Sequence, residues 1–407
     1  MHYDPYDTAI DVDPHPTWRW LRDEHPLYRN DRLGFYALSR YDDVLDALVD
    51  WATYSSARGT LLELIDPDAP DGSAEPVGAP MIFTDPPYHD VLRRLVSRAF
   101  TPRRVAAMER RVRELCREGL DPLAGSGGFD YLKDFAAAIP PMIIGELLGI
   151  PASDQRQLGR WTDRFMHYDP ALERPGEVLG VKQLNPVKLE GARQLVAYLD
   201  AAVDERAAGL GDDLVSGLLR AEIELADGTV RRLDRAEVTS FFLLLFTAGS
   251  ETTARLLGWA AILLARHPDQ RERLVADPAL VPNAVEELLR YESPSPIQAR
   301  WVTRDVELHG QVVPRGAKMA LLNAAANRDE RHFPEPDRFD VGRTIDRHLA
   351  FGYGAHFCLG AALARLEGRV VIEETLARLP RWEVDESRVR FVRTTTVRGP
   401  AGVPIST

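Results

Sequence analysis

The stretch FGYGAHFCLG, residues 351–360, sets three glycines, a histidine and one of the chain's two cysteines within ten positions. Gly352 and Gly354 permit tight turns and close approach of backbone to a flat ligand, and Phe351 is placed to cover a sulfur. The continuation CLGAALARLEGRVVIEETLARL keeps helical period, which puts Cys358 at a helix N-terminus. Unpaired N–H groups and the helix dipole stabilise negative charge there, so the position suits a thiolate. A thiolate shielded from water is a strong electron donor to iron. Two plainer readings stand beside this one: an inert buried cysteine, and a zinc site. The zinc reading has only His356 and Cys358 as ligands, because Cys116 lies in an ordinary helical stretch.

The bulk composition narrows the setting. The chain has 407 residues, 45% hydrophobic and 28% charged, with a formal net charge of −12. That is the make-up of a folded protein with a large core, and an acidic balance argues against nucleic acid as a partner. Two cysteines cannot make a disulfide framework, so a reducing cytoplasm is expected. The first residues, MHYDPYDTAIDVDPHPTW, carry acids and prolines where a targeting signal needs basic residues and an apolar core. Apolar runs such as Phe241–Phe246 fall far short of the roughly 20 residues that span a bilayer. No membrane anchor is expected.

Most of the chain reads at helical period, with strand signals confined to residues 301–322, a His309-Gly310 turn, and segments near Trp382 and Phe391. The expected fold is mainly α with a small β region, in one domain over 1–407. The longest helical stretch opens on Asp234 with Glu237 in capping-box spacing and stops before Pro268. Within it, AGSETT (248–253) sets a glycine and a glutamate in an apolar run, which is costly unless used. Residues 66–80 and 173–186 are rich in proline, glycine and charge and read as surface loops.

FGYGAHFCLG resembles the haem-binding signature of the cytochromes P-450, with Phe351, Gly352, Gly354, His356, Cys358 and Gly360 at motif positions. The resemblance runs over nearly the whole chain. It implies the cytochrome P-450 fold, with haem b (iron protoporphyrin IX) held between the long central helix and the cysteine-loop helix, and Cys358 as the metal ligand. It implies an oxygen-binding pattern at Ala248, Gly249, Ser250, Glu251 and Thr252, where a local opening of the helix makes room for dioxygen. There Thr252 holds a hydrogen-bond network and Glu251 delivers protons. It implies propionate ligands at His89, Arg93, Arg300 and His356. It also implies a structural trio of Glu287, Arg290 and Arg338.

By the same resemblance the substrate pocket draws on the loop from Arg58 to Phe83, the 165–188 region, Leu244, Thr247 and Ala248, Pro296, Ile297 and Gln298, and the turn near Val397. The function implied is a monooxygenase that hydroxylates or epoxidises a lipophilic small molecule with dioxygen and electrons from a ferredoxin and its reductase, acting as a monomer. Fatty acids, terpenoids, steroids and polyketides all fit. The rival readings are a hydrogen-peroxide-dependent peroxygenase, against which the intact Glu251-Thr252 pair counts, and a non-catalytic haem-binding protein. Nine arginines between Arg93 and Arg117, against Glu109 and Glu114, form a basic patch on an acidic chain. Arg103, Arg104, Arg110, Arg111 and Arg113 are its candidates for meeting an acidic ferredoxin.

Overall fold

The computed structural model describes residues 1–65, 80–166, 186–225, 228–392, 394 and 396–407. The organising element is the helix Arg235–Arg266. The Asp234 carboxylate accepts the Glu237 N–H and the Glu237 carboxylate accepts the Asp234 N–H, each at 2.8 Å, so the capping box read from the sequence is formed. The helix stops at His267 because Pro268 opens the next helix, Pro268–Ala276, and disfavours helical backbone at the residue before it. At 1.5 Å per residue it is about 48 Å long. Every residue from Thr253 to Leu264 is buried, so this half runs through the core rather than along a face.

Three further helices position the site around that axis. Ile139–Leu148 crosses the long helix at Gly249, where an added Cβ would meet Ile144 Cγ1 at 3.1 Å; the glycine lets the two backbones approach. Val281–Tyr291 and Ala361–Arg378 pack against the other half and against each other, sharing one large apolar cluster with it. The cysteine helix begins three residues after Cys358, as the sequence implies. The segment after Thr101 forms two helices rather than one, Pro102–Ala107 and Glu109–Leu120, joined at Met108.

The β region is small. Its main sheet has five strands in the order Leu27–Asn30, Phe35–Leu38, Lys318–Leu321, Gln298–Val302, Tyr54–Ser55. Lys318–Leu321 runs parallel to Phe35–Leu38 and antiparallel to Gln298–Val302, with Met319 opposite Arg300 and Leu321 opposite Gln298. Side chains alternate along the strand, so Ile297 and Ala299 enter the core while Gln298 and Arg300 face the other way. The His309-Gly310 turn joins the hairpin Val306–Leu308 and Gln311–Val313, both residues having positive φ (50° and 71°). Among the described residues, no single helix is long and apolar enough to cross a membrane.

Candidate active site

The cysteine loop is held by its own backbone. Gly352 N–H donates to Leu349 O and Cys358 N–H donates to Phe351 O, each at 2.9 Å. Gly354 has φ +70°, and a Cβ there would lie 2.7 Å from Leu48 O, so no side chain fits where the loop passes the first helical layer. Gly360 has nothing within 4 Å of its would-be Cβ and lies on a cavity wall, leaving open space beside the sulfur. Cys358 is half-buried and opens into that cavity. Burial pushes its thiol up, opposed by the N–H groups of Gly360 and Ala361 and by the charges of Arg93 and Arg365. Cys116 is sealed in the core with its thiol pushed up to about 12, mainly by burial. Among the described residues no three His, Cys, Asp or Glu side chains are grouped to hold a metal ion.

At one end of the cavity, of about 270 Å³, the four residues expected around the propionates come together. His89, on the helix Tyr88–Ser97, and His356 lie with ring centroids 4.3 Å apart, and the Nε2 atom of each is buried without a partner. Burial, followed by the positive charge of Arg300, pushes His356 down to about 2. Arg300 is itself buried and lowered to about 10 by desolvation; among the described residues its one hydrogen bond is to Ala299 O, at 2.8 Å. Arg93 donates to Ala355 O (3.2 Å) and Phe357 O (2.6 Å), tying its helix to the cysteine loop. Two orphaned imidazole nitrogens and a buried, underused guanidinium form a cationic pocket that lacks an anion. Two carboxylates would satisfy it, and the open space at Gly360 leaves room for a flat group beside Cys358. The residues therefore fit haem.

The long helix supplies the facing wall through Ala248, Gly249, Thr252 and Thr253. One expectation is corrected here. The helix is continuous through 248–252 rather than opened, and Thr252 Oγ1 donates to Ala248 O at 2.9 Å, closing the turn with its own side chain. Glu251 is not on the wall: it is 3% exposed and pairs with Arg255 (3.1 Å), which in turn donates to Pro400 O. Successive helical residues point about 100° apart, so with Thr252 facing the cavity Glu251 is turned from it.

The remaining wall is largely apolar, with Met81, Ile82, Ile144, Leu244 and Leu245, and carries a polar strip of Ser295, Gln298 and Asn323. Of the expected pocket residues, Leu244, Ala248 and Gln298 line it. Phe83, Thr247, Pro296, Ile297 and Val397 do not. Ile297 is turned into the core by strand alternation, and Thr247 folds its hydroxyl back on Leu243 O at 2.8 Å. Val397 is buried and Phe83 follows the two residues, Met81 and Ile82, that its short helix offers instead. Residues 66–79 and 167–185, where further pocket residues were expected, lie outside the described residues. Glu367 was not anticipated: it is buried on the wall, one carboxyl oxygen has no partner, and burial raises it to about 8, so it is neutral at neutral pH. Its spacing of nine from Cys358 gave no signal, since a glutamate in a helix usually faces water.

Behind the loop, Glu287 and Arg290 are fully buried and doubly hydrogen-bonded, Nε to Oε2 at 2.6 Å and Nη2 to Oε1 at 2.8 Å. The third arginine is Arg343, whose Nε reaches Glu287 Oε1 at 3.2 Å. Arg338 is displaced from that role. Its side chain is exposed and pairs with Glu335 and Asp340, and only its carbonyl turns inward to accept from Arg343 (2.7 Å) and Arg290 (3.5 Å). Arg290 Nη1 also donates to Asn327 O, and Asn327 Oδ1 accepts the Leu349 N–H at 2.6 Å, two residues before Phe351. The pair is thus wired to the cysteine loop.

A mainly α fold with a cysteine loop facing a cationic, carboxylate-hungry pocket defines a haem-thiolate protein. The chain belongs to the cytochrome P450 family, whose model matches residues 34–397. It is 40% identical over 404 residues to cytochrome P450 123 of Mycobacterium tuberculosis, covering 99% of this chain and 96% of that one. It is 37% identical over 398 residues to a vitamin D(3) 25-hydroxylase of Pseudonocardia autotrophica, covering 97% and 93%. Its fold superposes on the structure of a cytochrome P450 from Chondromyces apiculatus with TM-score 0.84 at 34% identity, over 99% and 97% of the two chains. The protein is a cytochrome P450 monooxygenase with haem b as cofactor.

Proposed function

We propose that this chain inserts one oxygen atom of dioxygen into a C–H or C=C bond of a lipophilic small molecule, the other atom leaving as water with two protons and two electrons. The observation that carries this reading is that Cys358, Thr252 and the apolar residues Leu244 and Ile82 line one cavity. Haem, when bound, supplies the oxygen chemistry, and the thiolate of Cys358 is its ligand. Arg93 and Arg300 would neutralise its propionates, and His89 and His356 would hydrogen-bond them. The apolar wall selects a lipophilic molecule and excludes water, and Gln298 with Ser295, 2.9 Å apart, offers it a polar anchor. A relative named for hydroxylating vitamin D(3) supports a substrate of that character.

Thr252 holds a proton at Oγ1 on the cavity wall, and Glu251, once its carboxylate leaves Arg255 and takes up a proton from solvent, is the relay from which that hydroxyl is refilled. Thr252→Ala is therefore expected to keep consuming reductant while product falls and hydrogen peroxide accumulates. Glu251→Gln slows oxygen consumption itself, by up to about 100-fold. Oxygen-electrode and product assays on one substrate read both. Unchanged coupling of reductant to product in Thr252→Ala would remove the role given to its hydroxyl.

An acidic ferredoxin is the proposed electron donor, docking on the cysteine side. Within the basic patch Arg113 is held by Glu109, Glu373 and Glu374, and Arg111 by Glu146, so these two are already neutralised. The exposed arginines with no ion pair among the described residues are Arg94, Arg98, Arg103 and Arg104, the last two on a helix packed against the cysteine helix. Reversing Arg103 and Arg104 to glutamate is expected to slow reduction by ferredoxin at low salt and to flatten its salt dependence, with substrate affinity unchanged. Stopped-flow reduction across a salt series measures this. Identical rates for variant and parent would place docking elsewhere.

A further inference from the structure

Beside the cysteine loop, Arg365 and His348 both contact the Phe351 ring and are joined to each other through Glu286. The Arg365 guanidinium lies 4.6 Å from the centroid of the Phe351 ring. It is fixed there by Glu286, Nε to Oε1 at 2.7 Å and Nη2 to Oε2 at 2.9 Å, a fork that sets the plane of the guanidinium as well as its position. Glu286 is held in turn by His348, whose Nε2 lies 3.1 Å from Oε2. The His348 Nδ1 accepts the Ala350 N–H at 3.2 Å, which leaves Nε2 to donate to Glu286. His348 also flanks Phe351, ring centroids 5.8 Å apart. Burial alone would raise Glu286, but the hydrogen bonds from His348 and Arg365 outweigh it and hold the carboxyl at about 2. The Glu286 carboxylate is therefore charged across the whole neutral range.

Phe351 is not a free ring. Its carbonyl accepts the Cys358 N–H, and it lines the cavity beside Cys358. Arg365 thus acts on the sulfur in two ways. It immobilises the residue that holds the cysteine backbone, through a cation–π contact, and it places a fixed positive charge close enough to act on the Cys358 sulfur. Surroundings of a metal ligand, rather than the ligand alone, set potential and persistence of ligation.

We propose that Arg365, clamped by Glu286 and His348 onto Phe351, is a positioning residue that sets the reduction potential of the bound haem and keeps Cys358 ligated as a thiolate. This rests on Cys358 being the ligand. The two effects separate by substitution. Arg365→Gln removes both the charge and the clamp, so the potential shifts to a more negative value, because loss of a nearby positive charge favours the oxidised state. The thiolate-type carbon monoxide complex should also decay several-fold faster. Arg365→Lys keeps the charge and loses the fork and the stacking plane, so the potential stays near that of the parent while the decay is as fast as in Arg365→Gln. In a Phe351→Leu background, Arg365→Lys adds no further decay, since the two substitutions break one contact.

The test is spectroelectrochemical titration of purified holoprotein, with timed spectra of the reduced carbon monoxide complex. If parent, Arg365→Gln and Arg365→Lys share one potential and one decay rate, the proposal is overturned. It is also overturned if Arg365→Lys and Phe351→Leu act additively on the decay. A parent that lacks the thiolate-type band altogether would instead overturn the ligand assignment, which keeps the two failures apart.

Discussion

Cys358→Ser is expected to abolish the red-shifted Soret band that thiolate-ligated haem shows when reduced under carbon monoxide, while Cys116→Ser retains it in full. The structure separates the two thiols by what they face. Cys358 opens into the cavity under the N–H groups of Gly360 and Ala361, which offset part of the cost of holding charge there. Cys116 is completely buried between apolar neighbours, with its thiol pushed up to about 12, and has no route to a ligand. A serine hydroxyl in place of Cys358 is a far weaker donor to iron, so the loss should be complete rather than graded. A difference spectrum of each purified variant decides the matter, and the opposite pattern would reassign the ligand.

Glu287→Gln is expected to yield little or no haem-loaded protein, although the residue touches no part of the cavity. Its carboxylate carries both hydrogen bonds of the buried Arg290 fork, the Asp340 N–H at 3.0 Å and the Arg343 Nε. Removing one charge of a buried pair leaves the other uncompensated, at roughly 3–5 kcal/mol, a large share of the 5–15 kcal/mol by which proteins are stable. Arg290→Lys should be nearly as damaging, because an ammonium cannot serve Glu287, Asn327 O and Pro336 O together. Arg338→Ala, by contrast, should load haem normally, since its side chain is exposed and only its carbonyl is used. Haem content per polypeptide, with the melting temperature of whatever soluble protein is recovered, measures all three.

That contrast shows where the sequence is legible. FGYGAHFCLG and the Asp234–Glu237 capping box are local patterns, and both form as read. Glu287 and Arg290 are also local, three apart on one helix, but their third partner is contributed by a chain segment folding back from 338–343. With Arg338 and Arg343 both in that segment, spacing does not say which side chain turns inward; the hydrogen bond from Arg338 N–H to Glu335 O makes a turn there and points its side chain to solvent. The burial of Ile297 beside a cavity-facing Gln298 follows from strand alternation once the strand is placed. Glu251 could not be placed from its motif, because its partner Arg255 and the Pro400 carbonyl fix its rotamer. The clamp on Phe351 joins residues 62 and 79 positions apart through Glu286, and only the packing of the two helices brings them together.

The most direct test of the monooxygenase account is the origin of the oxygen in the product. A compound that binds the holoprotein, detected by its perturbation of the haem spectrum, is turned over with ferredoxin, its reductase and nicotinamide reductant under isotopically heavy dioxygen in ordinary water. Mass spectrometry is expected to show one heavy oxygen atom in each product molecule, and none when the label is placed in the water instead. Product whose added oxygen comes from water, or product that forms with hydrogen peroxide but not with dioxygen and reductant, would contradict it.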